Sequence, residues 1–420
     1  MLENPAGRTI GGIRKALERH SRRATASGLQ AVLADRIDFL NPVHWDALAA
    51  NASFFMSRAY RALLETYSPD GMHPRYALVY RDGEPIVALA AQVLEVSGNQ
   101  LQSLPDSRVR KKALQSFKAR LLVCGNLVSS GFHGLAFAAD VDADMLWHAV
   151  AEALFRIRRA DRLCGKIDYV LIKDLDQVRS EQARPLRQFS YRPLQTEPEM
   201  AMPIRPGWKC FDDYLADLNT SYRGKARKII KQVAEAGYRV ERNADATRHD
   251  AELNALYREV EQRASTRLSA LPPGYFGALA SLAGSARFRC TLIRDDNAIV
   301  AFMTTIKDGD RALGYYVGID YEVNARVPLY LRLLQCLIDD AIELECVELS
   351  FGRTAMEPKA SLGAIAQSSH AWLRHRIAVV NALVHEAFTR VQPGDDRSRK
   401  PDVSARTLSG STMDRYDVRC

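Results

Sequence analysis

Two stretches of this chain share one alternation of hydrophobic and polar residues. YALVYRDGEPIVALAAQVLEVSG begins at Tyr76, and CTLIRDDNAIVAFMTTIKDG begins at Cys290. Each has two β-rich runs joined by a short polar pair, Asp82-Gly83 in the first and Asp296-Asn297 in the second. Such pairs favour tight turns between strands, so both stretches are predicted to be β-hairpins.

The elements around the two hairpins also correspond. A helical, aromatic segment precedes each hairpin, and a long helix followed by a strand comes after it. The preceding segments are Phe54–Tyr67 and Glu252–Ala264; the long helices are Met145–Arg159 and Leu329–Glu343; the strands are Ile167–Ile172 and Cys346–Phe351. Because the order of elements matches as well as the hairpins, the sequence predicts an internal duplication.

The boundary between the two predicted units should fall in the proline-containing run YRPLQTEPEMAMPIRPG. We divide the chain into a basic leader (1–28), a first unit (29–195), a second unit (196–391) and a polar tail (392–420). The tail has almost no apolar pattern, so it is predicted to be disordered.

A basic helix is predicted just after the boundary, in YLADLNTSYRGKARKIIKQVAEAG. Its apolar positions fall on one face. Cations, including Arg223 and Lys225, occupy the other side, and we count no acid that pairs them at i,i+4. This face is either a solvated surface or a platform for phosphate groups.

The stretch LSFGRTAMEPKASLGA begins as a buried strand, with Val347, Leu349 and Phe351 predicted to face the core. It should lie parallel to the strand at Ala312–Ile319, since a long helix connects the two. Parallel strands that separate at their ends, with a helix beginning between them, form a notch that binds anions. Residues Gly352, Arg353 and Lys359 follow the strand at that notch.

Composition narrows the class of protein. Apolar residues make up 47% and charged residues 26% of the 420 positions, which is ordinary for a globular protein. The net charge of +8 favours an anionic partner, namely a nucleotide, an RNA or an acidic membrane surface. The seven cysteines are scattered without a CxxC pair, and the nine histidines form no metal-binding spacing. We therefore predict free thiols, a reducing cytoplasm and no metal.

These ordered motifs resemble the GNAT acyltransferase superfamily, and in detail its duplicated FemABX-like branch. The basic helix, the hairpin IRDDNAIVAF, the run YYVGIDYE before the long helix, and LSFGRTAMEPKASLGA carry the resemblance. It implies an α+β fold of two tandem GNAT-like units, each a mixed, mostly antiparallel sheet flanked by helices. It also implies an N-acyltransferase whose second unit is active and whose first unit is structural or serves the acceptor.

The resemblance assigns candidate roles at the second unit. Asp320 and Glu322 would accept the amine proton, Tyr316 would donate to the leaving group, and a backbone N–H of Tyr315–Val317 would bind the oxyanion. Donor phosphates would be held by the residues of the notch, the loop before the long helix and the basic helix. These residues are Gly352, Arg353, Lys359, Val327, Leu329, Arg223 and Lys225.

The sequence leaves the identity of the acyl donor open. The loop DYEVNARVPLY lacks the glycines with which acyl-CoA enzymes of this superfamily hold pyrophosphate. Acyl-CoA as co-substrate is the first hypothesis, aminoacyl-tRNA is the alternative, and a non-catalytic basic scaffold is the third. The acceptor would be an amine of a small molecule, lipid or cell-envelope precursor. We predict a cytoplasmic protein with no transmembrane segment, in contact with the inner face of the membrane at most.

Overall fold

The computed structural model describes residues 28–97, 118–263 and 270–383. The predicted tail (392–420) and, apart from Gly28, the predicted leader (1–28) lie outside these described residues. The same holds for Cys420, and the six other cysteines are all free thiols.

A thirteen-stranded sheet runs through the described residues. Its strands are β1 (Gln30–Ala34), β2 (His73–Arg81), β3 (Glu84–Ser97), β4 (Lys118–Cys124), β5 (Leu135–Phe137), β6 (Tyr169–Leu175), β7 (Arg192–Pro203), β8 (Arg239–Glu241), β9 (Phe288–Arg294), β10 (Ile299–Asp308), β11 (Arg311–Ile319), β12 (Glu348–Ser350) and β13 (Ile365–His375). The spatial order is β1-β2-β3-β4-β6-β13-β7-β12-β11-β10-β9-β8, and β5 pairs with β3 beside this path.

Helices cover the sheet. They are α1 (Pro42–Ala49), α2 (Arg58–Thr66), α3 (Ala143–Ala160), α4 (Gln177–Gln182), α5 (Phe211–Asp217), α6 (Thr220–Glu235), α7 (Asp250–Arg263), α8 (Tyr275–Ala283), α9 (Tyr321–Asn324), α10 (Leu329–Glu343) and α11 (Met356–Ala360). Short 3-10 turns occur at Ile37–Phe39, Phe54–Met56, Asp161–Leu163 and Arg184–Phe189.

The two predicted units are present, and each has a mixed, mostly antiparallel sheet. The parallel pairs are β4 with β6 and β11 with β12, one in each unit. The units are joined within one sheet, because β13 pairs with β6 on one side and with β7 on the other. The boundary drawn at 195/196 falls inside β7, whose residues pair with both β13 and β12.

Both predicted hairpins form. Asp82 and Gly83 connect β2 to β3 with positive φ angles of 52° and 89°, the backbone of a two-residue hairpin turn. The second turn is longer: the side chain of Asp295 accepts the N–H groups of Asn297 and Ala298. The long helices also occur where predicted, and α10 has the predicted bounds.

The strand at the start of LSFGRTAMEPKASLGA differs from its prediction. β12 is shorter than Val347–Phe351, and Val347, predicted to be buried, is 62% exposed. Ser350, predicted to face outward, is buried, because its hydroxyl donates to the carboxylate of Glu199 on neighbouring β7. A polar partner inside the sheet therefore overrides the alternation of the sequence.

An aromatic core spans the two units. Residues of the first unit such as Phe55 and Tyr60 pack with residues of the second such as Tyr257, Tyr275 and Phe302. Because this core contains residues from both units, neither unit can bury its share alone.

Two glycines provide a stability test with opposite expected signs. A Cβ at Gly318 would lie 2.2 Å from Phe302 and 2.7 Å from Leu256, whereas a Cβ at Gly224, inside α6, would meet nothing within 4 Å. We expect Gly318→Ala to lower the free energy of unfolding by about 1–3 kcal/mol. We expect Gly224→Ala to raise it by about 0.5–1 kcal/mol, because alanine has less backbone entropy to lose in a helix. Urea denaturation of the two variants checks both; destabilisation by Gly224→Ala would contradict the description of α6.

Candidate active site

The candidate site begins where β11 and β12 separate. The two strands pair only over Arg311–Leu313 and Glu348–Ser350. Beyond this point β11 continues to Ile319, whereas the residues after β12 hydrogen-bond to β7 through Met200. A notch therefore opens at Gly314, as predicted from the parallel arrangement of the two strands.

A β-bulge shapes the floor of this notch. The register between β10 and β11 shifts, so that Thr304 lies opposite Tyr315 and Tyr316. The Thr304 hydroxyl accepts the Tyr316 N–H at 3.0 Å and donates to the Tyr316 carbonyl at 3.3 Å. The amide of Tyr316 is therefore committed, and it is not available to an oxyanion in this arrangement.

A cavity of about 200 Å³ lies against β11, at the point where the two strands separate. Residues 313–316 of β11 form one wall, and residues 127–130, from the loop after β4 of the first unit, form the other. We call the loop segment 126–131 the roof. No lining residue carries a carboxylate or an imidazole, so the cavity itself provides hydroxyl and backbone groups only.

Four polar side chains behind the cavity join the two units. The hydroxyl of Tyr315, in the cavity wall, hydrogen-bonds to those of Tyr275 and Tyr60, and Asn126 of the roof donates to Tyr60 at 2.9 Å. Burial raises the pKa of both Tyr275 and Tyr315 well above the usual value. These phenols stay protonated at neutral pH, and they position the wall rather than accept protons.

Tyr316, the predicted proton donor to the leaving group, lies in the cavity wall. Its hydroxyl donates to the carbonyl of Val128 in the roof at 3.0 Å. Burial raises its pKa well above the usual value, so it remains a neutral hydrogen-bond donor. It joins the wall to the roof in this structure.

The other two candidate catalytic residues lie outside the cavity. Asp320 is the N-cap of α9, since its carboxylate accepts the N–H groups of Glu322 and Val323. Its Cα is roughly 13 Å along the strand from that of Tyr316. The side chain of Glu322 is exposed to solvent.

The predicted phosphate ligands after β12 are engaged within the protein. Arg353 forms an ion pair with Asp174 of the first unit and also donates to Ser369. Burial alone would raise the pKa of Asp174, but Lys173 and Arg353 outweigh it and hold that pKa below the usual value. Arg353 thus ties the second unit to the first.

Lys359 is buried, and its ammonium donates to three carbonyls of the loop that follows β12, those of Gly352, Arg353 and Thr354. Burial lowers its pKa to about 8. This loop has positive φ angles at Gly352, Thr354 and Ala355, which is rare for non-glycine residues. Lys359 therefore holds a strained loop at the rim of the notch.

The loop before α10, which includes Val327 and leads into Leu329, was predicted to anchor the donor's phosphates. Its backbone N–H groups are hydrogen-bonded within the loop itself. The backbone N–H groups from Glu322 to Val327, together with those of Leu329 and Tyr330, all have acceptors inside the loop. The Asn324 side chain, for example, accepts the N–H of Tyr330 at 3.0 Å. A pyrophosphate bound here would have to displace these bonds.

The basic helix forms as α6, with Asn219 as its N-cap. Arg223 donates to the carbonyls of Ala216 and Leu218 at the end of α5, so it is structural. Lys225 is exposed and lies over the ring of Tyr222. The prediction that no acid pairs with the cations of this helix at i,i+4 was wrong for Lys231, which pairs with Glu235.

Sequence reasoning missed the roof. Its run CGNLVSSGFHG follows a strand and contains three glycines, a pattern typical of loops that approach a ligand. The run after β12 of the second unit drew attention instead, because it carries Arg353 and Lys359.

Another cavity, of about 490 Å³, lies in the first unit. Its arginines, Arg75 and Arg120, are both paired with Asp161. Within residues 28–97, 118–263 and 270–383, no group of three metal ligands occurs. No helix among them is long and apolar enough to cross a membrane.

Comparison with known proteins supports the fold. Residues 220–360 match the model of the acetyltransferase (GNAT) domain family. A crystal structure of FemX superposes with a TM-score of 0.51 at 13% identity, covering 82% of this chain and 98% of that one. The chain has the duplicated GNAT fold of the FemABX type. It carries an acyltransferase domain in its second unit.

Other matches are weaker. A tandem GNAT protein from the clavulanic acid biosynthesis pathway gives a TM-score of 0.46 at 13% identity, over 83% of this chain and 98% of that one. L-PGS from Bacillus licheniformis gives 0.43 at 12% identity, over 78% and 95%. No curated protein matches the sequence significantly.

The roof should weaken in acid through His133. Its Nε2 donates to the Ser130 carbonyl at 2.7 Å, and its enclosed Nδ1 lies 3.6 Å from Asp308. Burial lowers the pKa of His133 to about 4, although Asp308 opposes the shift. The unfolded chain therefore binds the proton more readily between about pH 6.5 and 4, and stability is lost as pH falls through this window.

We expect the free energy of unfolding to fall by about 2 kcal/mol from pH 7 to pH 5 on account of His133. Urea titrations of wild type and His133→Gln measure the difference, with the exposed His73→Gln as control. An equal pH dependence in wild type and His133→Gln would contradict the assignment.

Proposed function

We propose that the chain transfers an aminoacyl group from aminoacyl-tRNA to an amine, in the cavity between β11 and the roof. The observation that carries this choice of donor is the closed loop before α10. An acyl-CoA donor brings a pyrophosphate that needs free backbone N–H groups, and the loop from Glu322 to Tyr330 has committed its own. An aminoacyl ester on tRNA brings no pyrophosphate to this position.

The size of the cavity supports a small transferred group. About 200 Å³ corresponds to the volume of about six or seven water molecules. This is below the range of about 300–1,000 Å³ for sites that enclose drug-sized ligands. A single aminoacyl group suits this space, and a long acyl chain does not.

Exposed cations on α6 support an RNA partner. Lys225, Arg227 and Lys228 are exposed, and none of them has a carboxylate partner among the described ion pairs. The helix is packed against α10, the helix that connects the two strands of the notch, through a hydrogen bond from Gln335 to the Ala226 carbonyl. Phosphates of a donor held at the notch would be within the field of this surface.

The reaction needs no covalent intermediate with the protein. A neutral amine attacks the ester carbonyl, the new C–N bond forms, and the carbonyl electron pair moves to oxygen. Collapse of the tetrahedral intermediate breaks the C–O bond to the ribose, and the proton lost by the nitrogen ends on the departing oxygen. The acceptor class is an amine of a small molecule, lipid or cell-envelope precursor, and a tRNA donor confines the reaction to the cytoplasm.

The donor is tested by binding of a tRNA with an amide-linked, non-hydrolysable aminoacyl group, measured by fluorescence anisotropy. We expect replacement of Lys225, Arg227 and Lys228 by glutamate to weaken binding at least 100-fold at 50 mM salt. The slope of log K against log salt should fall by about three, because each lysine or arginine pairs with about one phosphate.

The matched control reverses the same number of charges at Arg159, Arg162 and Lys166, which are exposed on the first unit. It should bind as wild type does. Thermal shift with acetyl-CoA and longer acyl-CoAs tests the other donor, and we expect no stabilisation. Stabilisation by acyl-CoA, with no tRNA binding, would replace the proposed donor.

A further inference from the structure

The first unit has a parallel strand pair of its own, and its notch is closed. β4 and β6 pair from Leu121 with Tyr169 to Cys124 with Ile172, and the next residue of β6 is Lys173. The stem of Lys173 crosses Gly125, where an added Cβ would lie 2.4 Å from the lysine Cγ. A side chain of the protein therefore occupies the notch of the first unit.

The ammonium of Lys173 is fully used. It donates to the carbonyls of Asn126 and Ser129, each at 2.7 Å, and pairs with Asp174 at 2.6 Å. An ammonium has three protons, and these partners account for all of them. The carboxylate of Asp174 also accepts the N–H of Gly131 at 3.0 Å, so both residues hold the roof.

Further bonds fix the roof from other sides. Gln92 accepts the N–H of Leu127 at 2.8 Å, and the side chain of Asn126 accepts that of Val128 at 3.3 Å. With the bond from Tyr316 to the Val128 carbonyl, the backbone of the roof is anchored from its start to its end.

One polar group of the roof is left over. The hydroxyl of Ser129 is enclosed, and it has no hydrogen-bond partner in the protein, although Ser129 lines the cavity. Buried polar groups are nearly always satisfied, so an unsatisfied one beside a cavity indicates a partner that arrives with a ligand. Lys173 holds the carbonyl of the same residue, which fixes the backbone that carries this side chain.

We infer that the first unit, with its own notch closed by Lys173, supplies the second unit's site with a substrate contact, the hydroxyl of Ser129. Lys173 is the positioning residue for that contact. The inference deepens the proposed function and rests on it. The Ser129 hydroxyl is enclosed in this structure, so the side chain has to rotate about χ1 to reach the cavity; it would then donate to the carbonyl oxygen of the transferred group as negative charge develops there. The Tyr316 amide cannot serve in its place, because its N–H already donates to Thr304.

The first test replaces Ser129 by alanine. We expect turnover from aminoacyl-tRNA to an amine to fall about 100-fold, the usual loss when one oxyanion donor is removed. The melting temperature should not fall, because no hydrogen bond within the protein is lost. Thr291→Val is the matched control, since the Thr291 hydroxyl is also enclosed without a partner but lies on β9, away from the cavity. It should leave turnover unchanged.

The second test replaces Lys173 by methionine, which keeps most of the stem and removes the ammonium. Turnover should fall, and the loss should not add to that of Ser129→Ala in the double variant, because both act through one hydroxyl. Arg75→Met is the control for general destabilisation, as Arg75 pairs with a buried carboxylate elsewhere in the first unit. Wild-type turnover in Arg75→Met would separate positioning from stability.

Amide hydrogen exchange at Leu127 and Val128 tests the clamp without any activity. Exchange there should accelerate at least tenfold in Lys173→Met and stay unchanged in Arg75→Met. Wild-type turnover in Ser129→Ala, or unchanged exchange in Lys173→Met, would overturn the inference. A wild-type protein that transfers from neither donor would instead refute the proposed function and the role of Ser129 with it, while exchange would still decide whether Lys173 clamps the roof.

Discussion

The insertion of β13 between β6 and β7 is the constraint on which the rest of the structure depends. This strand is the last strand of the described residues, and its hydrogen bonds join the first unit to the second within one sheet. The two units cannot rotate against each other without breaking that ladder and the aromatic core behind it. A loop of the first unit can therefore form a rigid wall of a cavity in the second.

The two units use the same arrangement of strands and lysine for different purposes. Each has a parallel strand pair and a lysine that donates to backbone carbonyls at the end of that pair. This lysine is the partly buried Lys173 in the first unit and the buried Lys359 in the second. In the first unit the lysine fills the notch; in the second it holds the loop at the rim and leaves the notch open. The ion pair between Arg353 and Asp174 connects the two arrangements.

The architecture was predictable from sequence, because hairpins, helices and their order leave local patterns. The duplication, the bounds of α10 and the parallel pair β11–β12 follow from turn residues and hydrophobic periodicity. The site was harder. Positive charge at Arg353 and Lys359 indicated phosphate binding, but the partners that use those charges come from Asp174 and from backbone carbonyls. Such partners are distant in sequence or carry no sequence signal, and the same applies to the roof.

The central claim is that group transfer takes place in the cavity between β11 and the roof. Filling that cavity tests it most directly: Ser130→Trp places an indole against its wall, and Ser285→Trp, on an exposed loop, is the control. We predict that Ser130→Trp abolishes transfer from aminoacyl-tRNA while its melting temperature stays within a few degrees of the control. Transfer at the wild-type rate with the cavity filled would contradict the account and move the reaction elsewhere on the protein.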